Sequence, residues 1–342
     1  MSGFNESELT IFTYDDDVKH NMPLIADDNT LAFHLHIRCS TLWYLIQTKK
    51  EQYKCFYSKQ YDKDGNFKKK RPIQAPLERM KAVHKVMNNM FNRIPVPEQV
   101  AAYVPGKNCA DTAKKHVGKN ILIGMDISNF FNSTKRSYIR NYFKEAIGYS
   151  HYVSSILADL CCYEDFLPQG SPLSGYLANL VAWHRFGNKI QKYLDTERPG
   201  WVFTIYSDDI TLSHSEDVTQ EDAKKVISKI NQIVKDAGYK VNLKKTRILR
   251  KGSQQRVLGC VVNEKLNIPR NTYNRIRCLI HNCLHKGFDS QAERCGKKSG
   301  EAVATYITGM LSYFKQIRPD RWETLNNKFH EAVAVHEKEG AI

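Results

Sequence analysis

Residues 201–213, WVFTIYSDDITLS, decide the fold. Val202, Phe203 and Ile205 precede Tyr206-Ser207-Asp208-Asp209, and Ile210 and Leu212 follow it. Two short β-branched and aromatic runs around polar turn formers read as a hairpin. An Asp-Asp pair in such a turn is ordinarily a turn former. Upstream, residues 121–134, ILIGMDISNFFNST, carry an apolar strand into a further acid, Asp126, and on toward a helix. Carboxylates beside buried strands are costly unless they meet a cation. Two acidic sites on neighbouring strands can hold two Mg²⁺ ions roughly 3.5–4 Å apart. Successive strand residues face opposite ways, so Asp208 and Asp209 cannot contribute equally. Asp126 and Asp208 are the expected main ligands, with Asp209 supporting them.

Between these strands, residues 135–165 read as helical, and 167–186, LPQGSPLSGYLANLVAWHRF, as a Pro/Gly turn opening into a long helix. Residues 219–237 form an amphipathic pattern with Ala223, Val226, Ile227, Ile230 and Ile233 on one side. Residues 241–263 read as short strands with a turn at Gly252. The order β–α–β–β–α–β over 121–250 predicts an α+β, ferredoxin-like split arrangement. Before it, residues 30–57 read as helical, 58–75 as a hairpin turning at Asp64-Gly65, and 77–93 as a helix ended by Pro95 and Pro97. From Ile268 onward the chain reads as helical and basic.

Composition narrows the partners. The 342 residues include 51 Lys and Arg against 36 Asp and Glu, a net charge of +15. So basic a chain points to a polyanion, most simply nucleic acid. Nine cysteines, with Cys161 and Cys162 adjacent and no CxxC, make a poor disulfide framework. No signal peptide or membrane-length apolar run is read, so a cytoplasmic location without a membrane partner is expected. Cys278, His281, Cys283, His285 and Cys295 lie close in sequence. One helix over 278–285 would spread them around its circumference, so no zinc site is expected.

The motifs now resemble a known family. Tyr206-Ser207-Asp208-Asp209 resembles the Tyr-x-Asp-Asp box of reverse transcriptases, and Asp126-Ile127-Ser128-Asn129-Phe130-Phe131 their first catalytic motif. Leu167-Pro168-Gln169-Gly170 with Ser174 resembles the nucleotide-pocket loop, and Asn242-Leu243-Lys244-Lys245-Thr246 the lysine-bearing motif. Leu258-Gly259 resembles the primer grip, and Arg71 to Pro76, RPIQAP, the fingers motif. Tyr14-Asp15-Asp16-Asp17 also matches the short box but lacks an apolar hairpin and is set aside. The match looks closest to bacterial retron reverse transcriptases. Residues 261–270, VVNEKLNIPR, followed by a basic helix, resemble their RNA-recognising thumb segment. Thr112-Ala113-Lys114-Lys115-His116 resembles their Asn-Ala-x-x-His element with Thr for Asn, and Val257-Leu258-Gly259 stands where they have Val-Thr-Gly.

The resemblance implies a right-hand polymerase. Residues 1–29 would be an N-terminal extension, 30–120 fingers, 121–262 palm and 263–342 a helical RNA-binding thumb. Asp126, Asp208 and Asp209 would be catalytic and hold two Mg²⁺ ions. Arg71 would clamp the triphosphate; Lys69 is either a second clamp or part of a solvated basic run. Phe131 would stack under the incoming sugar and clash with a 2′-OH. Gln169 would touch the nucleotide or the template, and Lys245, with Lys244 as its rival, would protonate pyrophosphate. His116, Tyr206, Gly259, Lys265, Arg270, Tyr273, Arg275 and Arg277 would contact nucleic acid. The partners implied are dNTPs, a structured non-coding RNA that is both template and primer, its DNA product, and a separate effector protein. Retron membership implies multicopy single-stranded DNA (msDNA), priming from a guanosine 2′-OH and antiphage defence. Two other readings are another bacterial reverse transcriptase, of the phage-exclusion or diversity-generating kind, and a non-catalytic RNA-binding scaffold.

Overall fold

A computed structural model describes residues 21–61 and 67–338. The decoy box at residues 14–17, the Asp64-Gly65 turn and most of the expected N-terminal extension lie outside these residues.

The first elements are helices α1 (Asp28–His34) and α2 (Cys39–Gln47), then strands β1 (Tyr53–Tyr61) and β2 (Phe67–Pro76). The helical expectation for 30–57 therefore ran too far. His36 takes a left-handed φ of 57° between the two helices. Residues 53–57 pair with β2, from Tyr53 opposite Pro76 to Tyr57 opposite Pro72. Ladder bonds to a distant strand outweigh local helical spacing there. Helix α3 (Glu78–Phe91) ends before Pro95 as expected, and α4 (Cys109–Lys114) is capped by Asn108.

Next come β3 (Ile121–Asp126), a single turn α5 (Phe130–Ser133), α6 (Arg136–Tyr142) and α7 (His151–Cys161). The stretch expected to be helical from 135 to 165 breaks at Gly148, whose φ of 96° suits glycine. Helices α8 (Ser174–Ala182) and α9 (Asn188–Glu197) join through a π turn at Trp183–Gly187. That helical run thus extends past the expected 186. Strands β4 (Val202–Tyr206) and β5 (Asp209–His214), helix α10 (Gln220–Asp236) and strand β6 (Arg247–Arg250) complete the central unit.

The sheet runs β4-β5-β3-β6 with every pairing antiparallel. Its chain order is second, third, first, fourth, the ferredoxin-like arrangement expected. Ile121, Ile123 and Met125 share a core with Phe203, Ile205, Ile210, Leu212 and the Val226–Ile230 side of α10. Leu122, on the other face of β3, joins a second core. Asp126 follows Leu122 and Gly124 at period two, so it lies on that second face.

The second core is built by β7 (Arg256–Val257), β8 (Cys260–Val261), α11 (Arg270–Lys286), the turn α12 (Asp289–Ala292), α13 (Gly300–Ile317) and α14 (Pro319–Lys338). Ile276, Ile280, Val303, Ile307, Phe314 and Leu325 are buried in it. Among the described residues no helix is long and apolar enough to cross a membrane.

Candidate active site

The β4–β5 hairpin closes with Tyr206 opposite Asp209, so Ser207 and Asp208 form a two-residue turn. Ser207 has φ 58°, and tight hairpin turns demand such positive angles. The β3–β5 register sets Asp126 opposite Asp209. Directly opposed residues share a face, with Cβ atoms about 4.5–5.5 Å apart. Backbone bonds hold the corner: Ile127 N–H donates to the Asp208 carbonyl at 2.8 Å, and Asn242 N–H to that of Asp126 at 2.7 Å. Burial, then the charges of Asp208 and Asp126, push the Asp209 carboxyl up to about 6, against the pull of Arg247 and Lys245. Lys245 Nζ lies 2.8 Å from Asp126 Oδ2.

Two clefts meet at this corner. One, of about 630 Å³, is lined by Lys69, Arg71, Phe131, Gln169, Asp126, Asp208 and Lys245, together with Tyr103 and Asn242. The other, of about 580 Å³, is lined by Asp126, Asp209, Lys245, Arg247, Leu258 and Gly259. All five residues expected at the nucleotide pocket thus gather in the first cleft. Gly259 lies in the second, and Asp126 and Lys245 border both. Of the two rival lysines, Lys245 pairs with Asp126 and lines both clefts, whereas Lys244 lines neither.

The acids suit cations held from two sides. Among the described residues no three His, Cys, Asp or Glu side chains converge on one metal position. Instead Asp208 opens to one cleft, Asp209 to the other, and Asp126 to both. Opposed carboxylates repel, and a divalent cation bound by carboxylate oxygens would offset that repulsion, which adds to burial in raising Asp209.

Several supporting residues carried no clear signal in the sequence. Gln74 clamps the loop at Gln169: its backbone N–H donates to the Gln169 carbonyl at 2.9 Å, and its Oε1 accepts the Gln169 N–H at 3.0 Å. Gly170 fits beneath, at φ 133°, where a Cβ would stand 2.9 Å from Ile73 Cγ2. His84 is buried on α3, with Nδ1 2.7 Å from Ser171 Oγ and Nε2 2.9 Å from the Leu160 carbonyl. Burial lowers it to about 4, so the ring is neutral. Arg247 lies over Gly124, where a Cβ would sit 3.0 Å from its Nε. The RPIQAP stretch contained Gln74, but nothing in it marked a link to residue 169.

Other expected contacts change place. His116 is fully buried, with Nδ1 2.8 Å from Ser213 Oγ and Nε2 2.8 Å from Thr204 Oγ1. Burial lowers it to about 3. It is a neutral tie between the end of α4 and the β4–β5 hairpin, and it is out of reach of nucleic acid. Tyr206 is half-buried at the hairpin's end. The Tyr273 ring stacks on Phe314 at 6.1 Å, with the Arg321 guanidinium 5.2 Å above it, so its stacking partners are internal instead of a base. Arg275 donates to Tyr306 Oη at 2.8 Å. Lys265, Arg270, Arg275 and Arg277 are all exposed. Of that cluster on α11, only Cys283 is turned inward; Cys278, His281 and His285 share the exposed side, with the His281 and His285 rings 4.4 Å apart, so the helix spreads the cluster less than expected.

Sequence comparison now decides the family. The reverse transcriptase (RNA-dependent DNA polymerase) family matches residues 59–262, more than half of the chain. The chain belongs to the reverse transcriptase family. It is an RNA-directed DNA polymerase, and within the family its similarity is to the retron type. Retron Ec86 reverse transcriptase of Escherichia coli is 29% identical over 301 residues, covering 86% of each chain. Retron Mx65 reverse transcriptase of Myxococcus xanthus is 28% identical over 277 residues, covering 75% of this chain and 60% of its own. Among solved structures, a foamy viral protease-reverse transcriptase in complex with double-stranded DNA aligns at a TM-score of 0.43 and 14% identity. That alignment covers 82% of this chain and 38% of the other. Reverse transcriptases as a family use divalent metal ions.

Proposed function

We propose that this reverse transcriptase copies a partner structured non-coding RNA into msDNA, at a site built on Asp126, Asp208 and Asp209 with two Mg²⁺ ions. The carrying observation is that Asp126 borders both clefts, with Asp208 on one side and Asp209 on the other. The first cleft takes the dNTP and the second the primer end. Arg71 and Lys69 hold the triphosphate, Phe131 lies under the sugar, and Gln169 faces the base or template. The primer hydroxyl gives up its proton to solvent, its oxygen bonds to the α-phosphorus, and the bond from the α-phosphorus to the bridging oxygen breaks as pyrophosphate leaves. Lys245 gives pyrophosphate its proton. The bound ions would lower the hydroxyl pKa and offset charge on the leaving group.

In this reading residues 30–120 are fingers, 121–262 palm and 263–342 thumb. The exposed Lys265, Arg270, Arg275 and Arg277 support phosphate contacts from the thumb. Likeness to retron enzymes supports priming from a guanosine 2′-OH, a cytoplasmic setting, and antiphage defence with a separate effector. The test is nucleic acid co-purified from the native locus, treated separately with RNase and DNase and run on a denaturing gel. A single short DNA still joined to RNA is expected. RNA alone would leave the polymerase and remove the retron product.

A further inference from the structure

Tyr103 stands apart from every residue assigned so far. It is not in any motif quoted above, yet its side chain borders the first cleft beside Phe131. The residue is 56% exposed, and its φ is 59°. A left-handed backbone under a bulky ring is strained, and such strain persists only where the surroundings impose it.

Those surroundings belong to α8. Asn179, fully buried, donates its side-chain N–H to the carbonyl of Ala102. One turn earlier on the same helix face, Gly175 lies beneath the Tyr103 ring. A Cβ there would run into Tyr103 Cγ and come within 2.6 and 2.7 Å of its two Cδ atoms. The ring therefore rests flat on bare backbone. On the other side, the loop bonds to β4, with Ile205 N–H donating to the Gln99 carbonyl at 2.8 Å. The exposed ring meets Phe131 edge to face, with centroids 6.3 Å apart at 66°.

We propose that Tyr103 is a positioning residue for sugar selection: it holds Phe131 against the incoming nucleotide, and Gly175 is the seat that lets it do so. This rests on Phe131 being the wall under the sugar. Without the Tyr103 ring, Phe131 gains room to swing toward Gly175, away from the position of a 2′-OH. The nucleotide pocket then admits ribonucleotides. The hydroxyl of Tyr103 has no part in this, because the contact is made by the ring.

The test measures kcat/KM for a dNTP and for the matching rNTP on a primed RNA template with Mg²⁺, with thermal melts as the folding check. Tyr103→Ala should lower the dNTP/rNTP ratio by about tenfold or more, the size of a lost steric wall. Tyr103→Phe should keep the wild-type ratio. Gly175→Ala should lower it as Tyr103→Ala does, since the added methyl and the ring cannot coexist. An unchanged ratio in folded Tyr103→Ala, with a lowered ratio in Phe131→Ala, overturns the inference alone. An unchanged ratio in both overturns the sugar-wall reading beneath it. A ratio lost equally in Tyr103→Phe would assign the effect to the hydroxyl and also overturn the inference.

Discussion

The acid corner of the central sheet and the basic face of α11 are both clusters of charge, and they are held differently. At the corner, each of the charged groups is held by something outside itself. Asp126 is held by register against Asp209, Asp208 by a two-residue turn, and Lys245 by a 2.8 Å ion pair. On α11, Arg270 and Arg277 are exposed, Arg275 leans on Tyr306, and Tyr273 has turned into the C-terminal core. A strand-end carboxylate is costly without its function, so its position is informative. A surface arginine costs little anywhere, so its helical spacing says less.

That contrast can be broken or sharpened by substitution. Lys245→Ala should lower kcat for dNTP incorporation by about a hundredfold, the usual scale of a lost general acid, while Lys244→Ala stays near wild type. Equal losses would dissolve the distinction that the ion pair draws. His116→Ala should act on folding instead, destabilising by about 1–3 kcal/mol in denaturant melts, because Thr204 and Ser213 lose their buried partner. A large fall in RNA affinity with unchanged stability would return His116 to the nucleic-acid surface. The smallest effect belongs to the thumb. Arg270→Ala with Arg277→Ala should reduce the slope of log affinity for RNA against log salt by about one to two. No change in slope would remove those residues from the phosphate path.

The buried histidines set a pH dependence of stability. His84 and His116 are held neutral in the fold, at about 4 and about 3, whereas an exposed histidine titrates near 6.5. Between those values the unfolded chain binds more protons. The part of the stability that rests on these two neutral rings is therefore full above about pH 6.5 and falls as the pH drops toward 3, offset in part by Asp209, whose carboxyl, raised to about 6, favours the fold as it takes up its proton. Melting curves across that range should show the fall, and His116→Ala should make it shallower.

What could be read from the sequence follows the same division. The strand order was legible because Ile121–Asp126 and Val202–Leu212 carry their own pattern: apolar runs, a turn and acids at the ends. The start of β1 at Tyr53 was not, because its partner is Pro76 across the hairpin and local spacing favoured helix. Gln74, His84 and Tyr103 were missed for a related reason. Gln74 meets Gln169 and His84 meets Ser171 across 95 and 87 residues of chain, and Tyr103 is defined by a glycine on another helix. His116 was picked out by resemblance to a motif, but its role is set by two hydroxyls on strands 88 and 97 residues away.

The most direct measurement is primed incorporation of dNTPs on an RNA template by Asp126→Asn, read beside its RNA affinity. If Asp126 serves both clefts, incorporation should fall by roughly three orders of magnitude or more, with RNA affinity and melting temperature close to wild type. Substantial incorporation, or loss of folding together with loss of activity, would contradict that account.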